Sequence, residues 1–106
     1  MSSPPTAPPS APPGIPSPAD VSAPVVLYTT PFCGFCRAAL ALLRERDIEH
    51  VQVDVSGQPA ARQWLRQVTG QHTVPQVFIG GRSIGGYTEL ATLDDTGELE
   101  RMLATG

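Results

Sequence analysis

The sequence predicts a small α/β domain, a mixed four-stranded sheet flanked by helices in the order β-α-β-α-β-β-α-α. Three observations carry that prediction. An apolar run, Val25-Val26-Leu27-Tyr28, passes within a few residues into a stretch whose apolar residues recur at helical spacing. A second strand-like run follows, which makes a parallel βαβ unit with a right-handed crossover. Later, Gly80-Gly81 joins two short β runs as a hairpin.

Each element has its own reason. Residues 25–28 form a continuous apolar strand, as expected for one buried on both faces. From 34 to about 46, Cys36, Ala39, Leu40 and Leu43 share a helical stripe, with Arg37, Arg44 and Glu45 outside it. Residues 49–55 alternate and put valines on one face of a second strand. Ser56-Gly57-Gln58-Pro59 breaks that strand and opens a second helix. Ala61, Trp64, Leu65 and Val68 form its apolar stripe, so Trp64 reads as core, and Gly70 ends it. Residues 77–79 and 82–84 are the hairpin strands, and a helical stretch covers 88–93. Asp95, with Glu98 three residues on, reads as a capping pair starting a last helix through about residue 103.

Residues 1–24 stand apart from this pattern. They hold nine of the twelve prolines, with Ser, Ala and Thr filling most of the rest, one Ile and no aromatic. Such a composition buries too little apolar surface to offset its ordering entropy. Residues 1–24 therefore read as a disordered spacer, and 25–106 as the folded domain. No basic residue precedes Arg37, which argues against a targeting peptide. No run approaches the roughly 20 apolar residues of a membrane helix. The chain has seven Arg, no Lys and a formal net charge of −3, a poor match for nucleic acid or anionic lipid.

The chemistry gathers at the two cysteines, which stand at a strand-to-helix junction as Cys33-Gly34-Phe35-Cys36. Unpaired N–H groups and the positive end of the helix dipole favour an anion there. A thiol so placed falls from about 8.5 into roughly the 3.5–7.5 range. The pattern predicts thiol–disulfide chemistry with Cys33, at the helix start, as nucleophile. Cys36, one turn in on the apolar stripe, is the more buried resolving thiol. Two neighbouring cysteines do not make a secreted disulfide framework, so the reducing cytoplasm is the expected compartment. A zinc site is disfavoured, because His50 and His72 are too far apart in sequence for the usual ligand spacing and both read as surface.

Three separated pieces together resemble a glutaredoxin. They are Cys33-Gly34-Phe35-Cys36 after a strand, Thr73-Val74-Pro75 before a strand, and Gly85-Gly86-Tyr87-Thr88-Glu89-Leu90 after a hairpin, and the match spans 25–104. The resemblance implies the thioredoxin fold, strand order 2-1-3-4, and a cis peptide between Val74 and Pro75. It also implies glutathione as co-substrate, glutathionylated or disulfide-bonded proteins as partners, and a monomer. In that reading Cys33 attacks a glutathionyl mixed disulfide, and Cys36 closes an intramolecular bond when the substrate is a protein disulfide.

The resemblance places the glutathione site as well. The backbone of Val74 pairs with the glutathione cysteine, beside Thr73 and Pro75. The N–H groups of Tyr87 and Thr88, after Gly86, take the γ-glutamyl carboxylate as helix N-termini hold anions. Thr88 and Glu89 contact this γ-glutamyl end, Arg62 faces the glycyl carboxylate, and Tyr28 and Phe35 wall the thiol pocket.

The chain departs from the pattern in places. Gly34 replaces the proline of the common Cys-Pro-Tyr-Cys and restores a backbone N–H at the helix start. Thr30 stands where many relatives have a lysine, and Glu89 where many have Asp. Gly34-Phe35 also matches monothiol relatives that share a [2Fe–2S] cluster between two subunits. That gives the alternative of an iron–sulfur carrier or sensor, with Cys33 as ligand in a homodimer. The second cysteine and the missing Lys-Gly-Thr and Trp-Pro motifs stand against it. A thioredoxin-type donor independent of glutathione is weakened by the lack of Trp beside Cys33.

Overall fold

Strand β1 (Val25–Thr29) runs through the middle of the sheet, and all five of its residues are buried. A computed structural model describes residues 10–105 of the chain. After β1 come α1 (Gly34–Glu45), β2 (His50–Asp54), α2 (Pro59–Thr69), β3 (Gln76–Ile79), β4 (Arg82–Gly85), α3 (Tyr87–Thr96) and α4 (Glu98–Thr105). The spatial order is β2-β1-β3-β4, as the resemblance implies. β1 pairs parallel with β2, Val25 opposite His50, and antiparallel with β3, Val25 opposite Ile79.

Alternate residues of β1 supply two cores because successive side chains point to opposite faces. On one face Val26 and Tyr28 join Val53, Trp64, Leu65 and Phe78 beneath α2. On the other, Val25 and Leu27 join Ala39, Leu43, Val77, Leu90 and Leu99 beneath α1, α3 and α4. Tyr28 meets Trp64 and Phe78 edge-on, each at a centroid distance of 5.5 Å, a geometry that aromatic quadrupoles favour. α2 ends at Gly70, whose φ of 79° is the left-handed conformation expected of a stopping glycine.

Two details differ from the sequence reading. Asp95 does not start the last helix but lies inside α3, which runs on to Thr96. Gly97 ends it at a φ of 80°, and α4 begins at Glu98. A glycine that reaches the left-handed region without strain outcompetes a capping pair spaced across it. Asp94 instead accepts two hydrogen bonds from the Arg46 guanidinium, at 2.9 and 3.0 Å.

The second difference concerns the Pro-rich segment. Residues 1–9 lie outside the described residues, but 10–24, read as part of a disordered spacer, pack along the Tyr28 face of the sheet. Ile15 is 6 % exposed and belongs to that core. The Tyr28 hydroxyl donates to the Pro16 carbonyl at 2.7 Å. Ser17, whose N–H and hydroxyl both donate to Asp20, then opens a short 3₁₀ turn, Pro18–Asp20. One buried isoleucine and one hydroxyl suffice to hold a chain whose prolines have already limited its unfolded freedom.

Ile15→Ala is therefore expected to lower the unfolding free energy by about 2 kcal/mol, and Tyr28→Phe by about 1 kcal/mol, in urea melts of the full chain. Changes within a few tenths of a kcal/mol for both would show that the segment contributes no packing.

Candidate active site

Phe32, at a φ of 63°, turns the chain between β1 and α1. Cys33 follows as the N-cap of α1, in extended backbone, and its Sγ accepts a hydrogen bond from the Cys36 N–H at 3.2 Å. Sulfur thus does here what a Ser or Asp oxygen does at most helix starts. Cys36 is the first thiol inside the helix and is 2 % exposed. Burial, helped by the hydrogen bond to Cys33, pushes its thiol up to about 11; the Thr30 backbone and the Arg62 charge act weakly the other way. Both cysteines are free thiols, one half-buried and one buried.

The loop before β3 closes over the first sulfur. The Val74–Pro75 peptide is cis, and the Val74 carbonyl lies 3.8 Å from Cys33 Sγ. Beside it opens a cavity of about 270 Å³ lined by Phe35, Thr73, Val74, Pro75, Gly86, Tyr87, Thr88 and Glu89, all singled out from the sequence, and by Gln71, which was not. Gln71 carries no sequence signal, since it enters as a loop residue whose carbonyl accepts from the Gln76 side chain. The Phe35 and Tyr87 rings lie 6.2 Å apart across the cavity.

α3 begins at Tyr87, so the N–H groups of Tyr87 and Thr88 have no acceptor within the helix. The Glu89 carboxylate folds back onto the Gly86 N–H at 2.8 Å, as a capping side chain does. Gly85, at a φ of 106°, makes room for it, because a Cβ there would fall against that carboxylate.

Two proposed site residues stand elsewhere. Tyr28 does not wall the thiol pocket. It is wholly buried on the α2 face, ring against Trp64 and Phe78, with its hydroxyl committed to Pro16. Arg62 does not line the cavity either. Its guanidinium donates to the His72 carbonyl at 2.9 Å, on a separate surface with Pro59 and Arg66. His72 is exposed, whereas His50 is half-buried with Nδ1 2.8 Å from the Ile48 carbonyl.

An outward sulfur held by a helix N-terminus, with a protonated one directly behind it, suits the relay of a disulfide from substrate to enzyme and back. By fold and site the chain is a thioredoxin-fold thiol–disulfide oxidoreductase. The glutaredoxin family model matches residues 25–84. The chain is 39% identical over 80 residues to a glutaredoxin of Neisseria meningitidis serogroup A, covering 74% of this chain and 94% of that one. It is 36% identical over 81 residues to a Pseudomonas aeruginosa glutaredoxin, covering 76% and 96%. Among solved structures, the buckwheat glutaredoxin–glutathione complex superposes with a TM-score of 0.75 at 32% identity, covering 79% of each chain. The Brucella melitensis glutaredoxin gives 0.68 at 37% identity, covering 76% of this chain and 88% of that one. The chain belongs to the glutaredoxin family.

The asymmetry between the thiols sets an alkylation pattern. At neutral pH iodoacetamide is expected to modify Cys33 and spare Cys36, as mapped by peptide mass. In Cys33→Ser, the reaction of Cys36 should still climb about tenfold per pH unit above neutrality, since burial holds its thiol up and only the thiolate reacts. In Gly85→Ala the Glu89 carboxylate is expected to leave the Gly86 N–H. Faster amide hydrogen exchange at Gly86 would register that loss.

Proposed function

We propose that the protein is a glutathione-dependent oxidoreductase that reduces glutathionyl mixed disulfides through Cys33. The reading is carried by one juxtaposition, that of Cys33 Sγ, the Val74 carbonyl and a cavity ending at the N-terminus of α3. An extended peptide laid beside Val74 would bring its own sulfur to Cys33 and its carboxylate to the first turn of α3. The buckwheat relative, solved as a glutathione complex, supports the same ligand.

In this reaction the Cys33 thiolate attacks the glutathione sulfur, the substrate leaves as a thiol, and Cys33 carries the glutathionyl group. A second glutathione attacks that group, which releases Cys33 and glutathione disulfide. With a protein disulfide, Cys33 first forms a mixed disulfide with one protein sulfur. Cys36 then attacks Cys33 Sγ, and its proton passes to the leaving protein sulfur. Two glutathiones reduce the resulting Cys33–Cys36 disulfide, giving glutathione disulfide. The high pKa of Cys36 keeps it a thiol until its own attack, so it does not compete for the first one. Glu89 places a carboxylate where the incoming γ-glutamyl carboxylate would arrive, which favours quick release over tight binding. The reducing cytoplasm is the compartment proposed for this chemistry. The [2Fe–2S] alternative would use Cys33 alone from each of two subunits, and a second thiol directly behind it, Cys36, favours disulfide chemistry instead.

The test is glutathione-dependent turnover of the glutathionyl mixed disulfide of 2-mercaptoethanol. Cys33→Ser is expected to lose at least about a hundredfold, while Cys36→Ser retains substantial turnover. Wild-type turnover at background would refute the proposal.

A further inference from the structure

Among the described residues, the large apolar side chains left exposed are Phe32, at 93 %, and Phe35, at 64 %. Both flank Cys33. Exposure of a whole aromatic ring forgoes burial that most phenylalanines obtain, and Phe32 does so from the left-handed backbone region, where a bulky side chain is rare. Phe35 belongs to the cavity, but Phe32 does not line it. A glutathionyl group seated in the cavity therefore leaves Phe32 uncovered.

A polypeptide that carries the other half of the mixed disulfide is too large for a cavity of about 270 Å³. It must lie on the open surface around Cys33, where the two rings stand. The chain on either side of Cys33 has no Asp or Glu from residue 21 to 44 and presents the exposed Arg37, so the carboxylate at the site is that of Glu89, which lies on the cavity side. Taking the proposed function as given, we infer that Phe32 is a docking side chain for polypeptide substrates whose reactive cysteine has apolar neighbours. Phe32 selects among protein disulfides, and the bond chemistry is unchanged. The Cys33–glutathione S–S bond forms, the polypeptide S–S bond breaks, and the polypeptide sulfur leaves as a thiolate and takes a proton from water. A second glutathione then restores Cys33 and carries the oxidising equivalents away as glutathione disulfide.

The test uses the full chain and two synthetic peptides, each bearing glutathione on a single cysteine flanked on both sides by Leu or by Ser. The glutathionyl mixed disulfide of 2-mercaptoethanol is the small reference. Wild type is expected to favour the Leu peptide over the Ser peptide about tenfold in kcat/KM, the scale of burying part of one aromatic ring. Phe32→Asn, a residue that accepts the left-handed backbone, should bring that ratio near one through KM, and Phe32→Trp should keep it. A wild-type ratio of one, or a ratio untouched by Phe32→Asn, overturns the inference while turnover of the small disulfide still upholds the proposed function. Absence of turnover with all three disulfides overturns both. Concentration-dependent self-association lost in Phe32→Asn, with no peptide preference, would assign the rings to a second copy and overturn the inference as well.

Discussion

The burial of β1 on both faces is the constraint from which the remaining architecture follows. Five consecutive residues without a water-facing side need a packed layer above and another below. α2 and residues 10–24 provide one layer, and α1, α3 and α4 provide the other. A strand so enclosed reaches the surface only at its end, where Thr30, Pro31 and Phe32 emerge and Cys33 stands at the start of the next helix. The reactive sulfur is therefore placed by the most fully enclosed strand of the sheet, as a preorganised site requires.

From that placement the two thiols acquire opposite characters although they are chemically identical. Cys33 occupies the helix boundary and receives the Cys36 N–H. Cys36 belongs to the helix interior, where burial penalises its anion. The same backbone step thus supplies a donor to one sulfur and removes solvent from the other. Selectivity between first attack and resolution follows from position along one helical turn.

Most of this was legible in the sequence because it rests on local signals. Helical and strand periodicity located the four strands and the first two helices, Gly70 stopped α2, and the Cys33-Gly34-Phe35-Cys36 spacing marked the reactive site. The Thr73-Val74-Pro75 and Gly86-Tyr87-Thr88 segments, far apart in sequence, were brought together through the family resemblance, and they do line one cavity. What stayed illegible depends on single long-range contacts. A composition average over residues 1–24 hides Ile15, the buried side chain that, with Ala11 and Val21, packs residues 10–24 onto the core. In a strand buried on both sides, apolarity does not say which way Tyr28 points, so a core residue was assigned to the pocket. Arg62 donates to the His72 carbonyl, a contact that leaves no mark in a sequence because the acceptor is backbone. Asp95 and Glu98 have the spacing of a capping pair, but the left-handed backbone at Gly97 between them ends one helix and lets the next begin at Glu98.

The pair between Arg46 and Asp94 has a mechanical meaning beyond its small electrostatic value. It clasps the C-terminal end of α1 to α3 with two parallel hydrogen bonds. Together with the shared core beneath them, it fixes the helix that begins at the thiols against the helix that begins at the cavity. The loop of residues 70–75, which forms the other wall of the cavity, is tied to the opposite face of the sheet, where Arg62 of α2 donates to the His72 carbonyl.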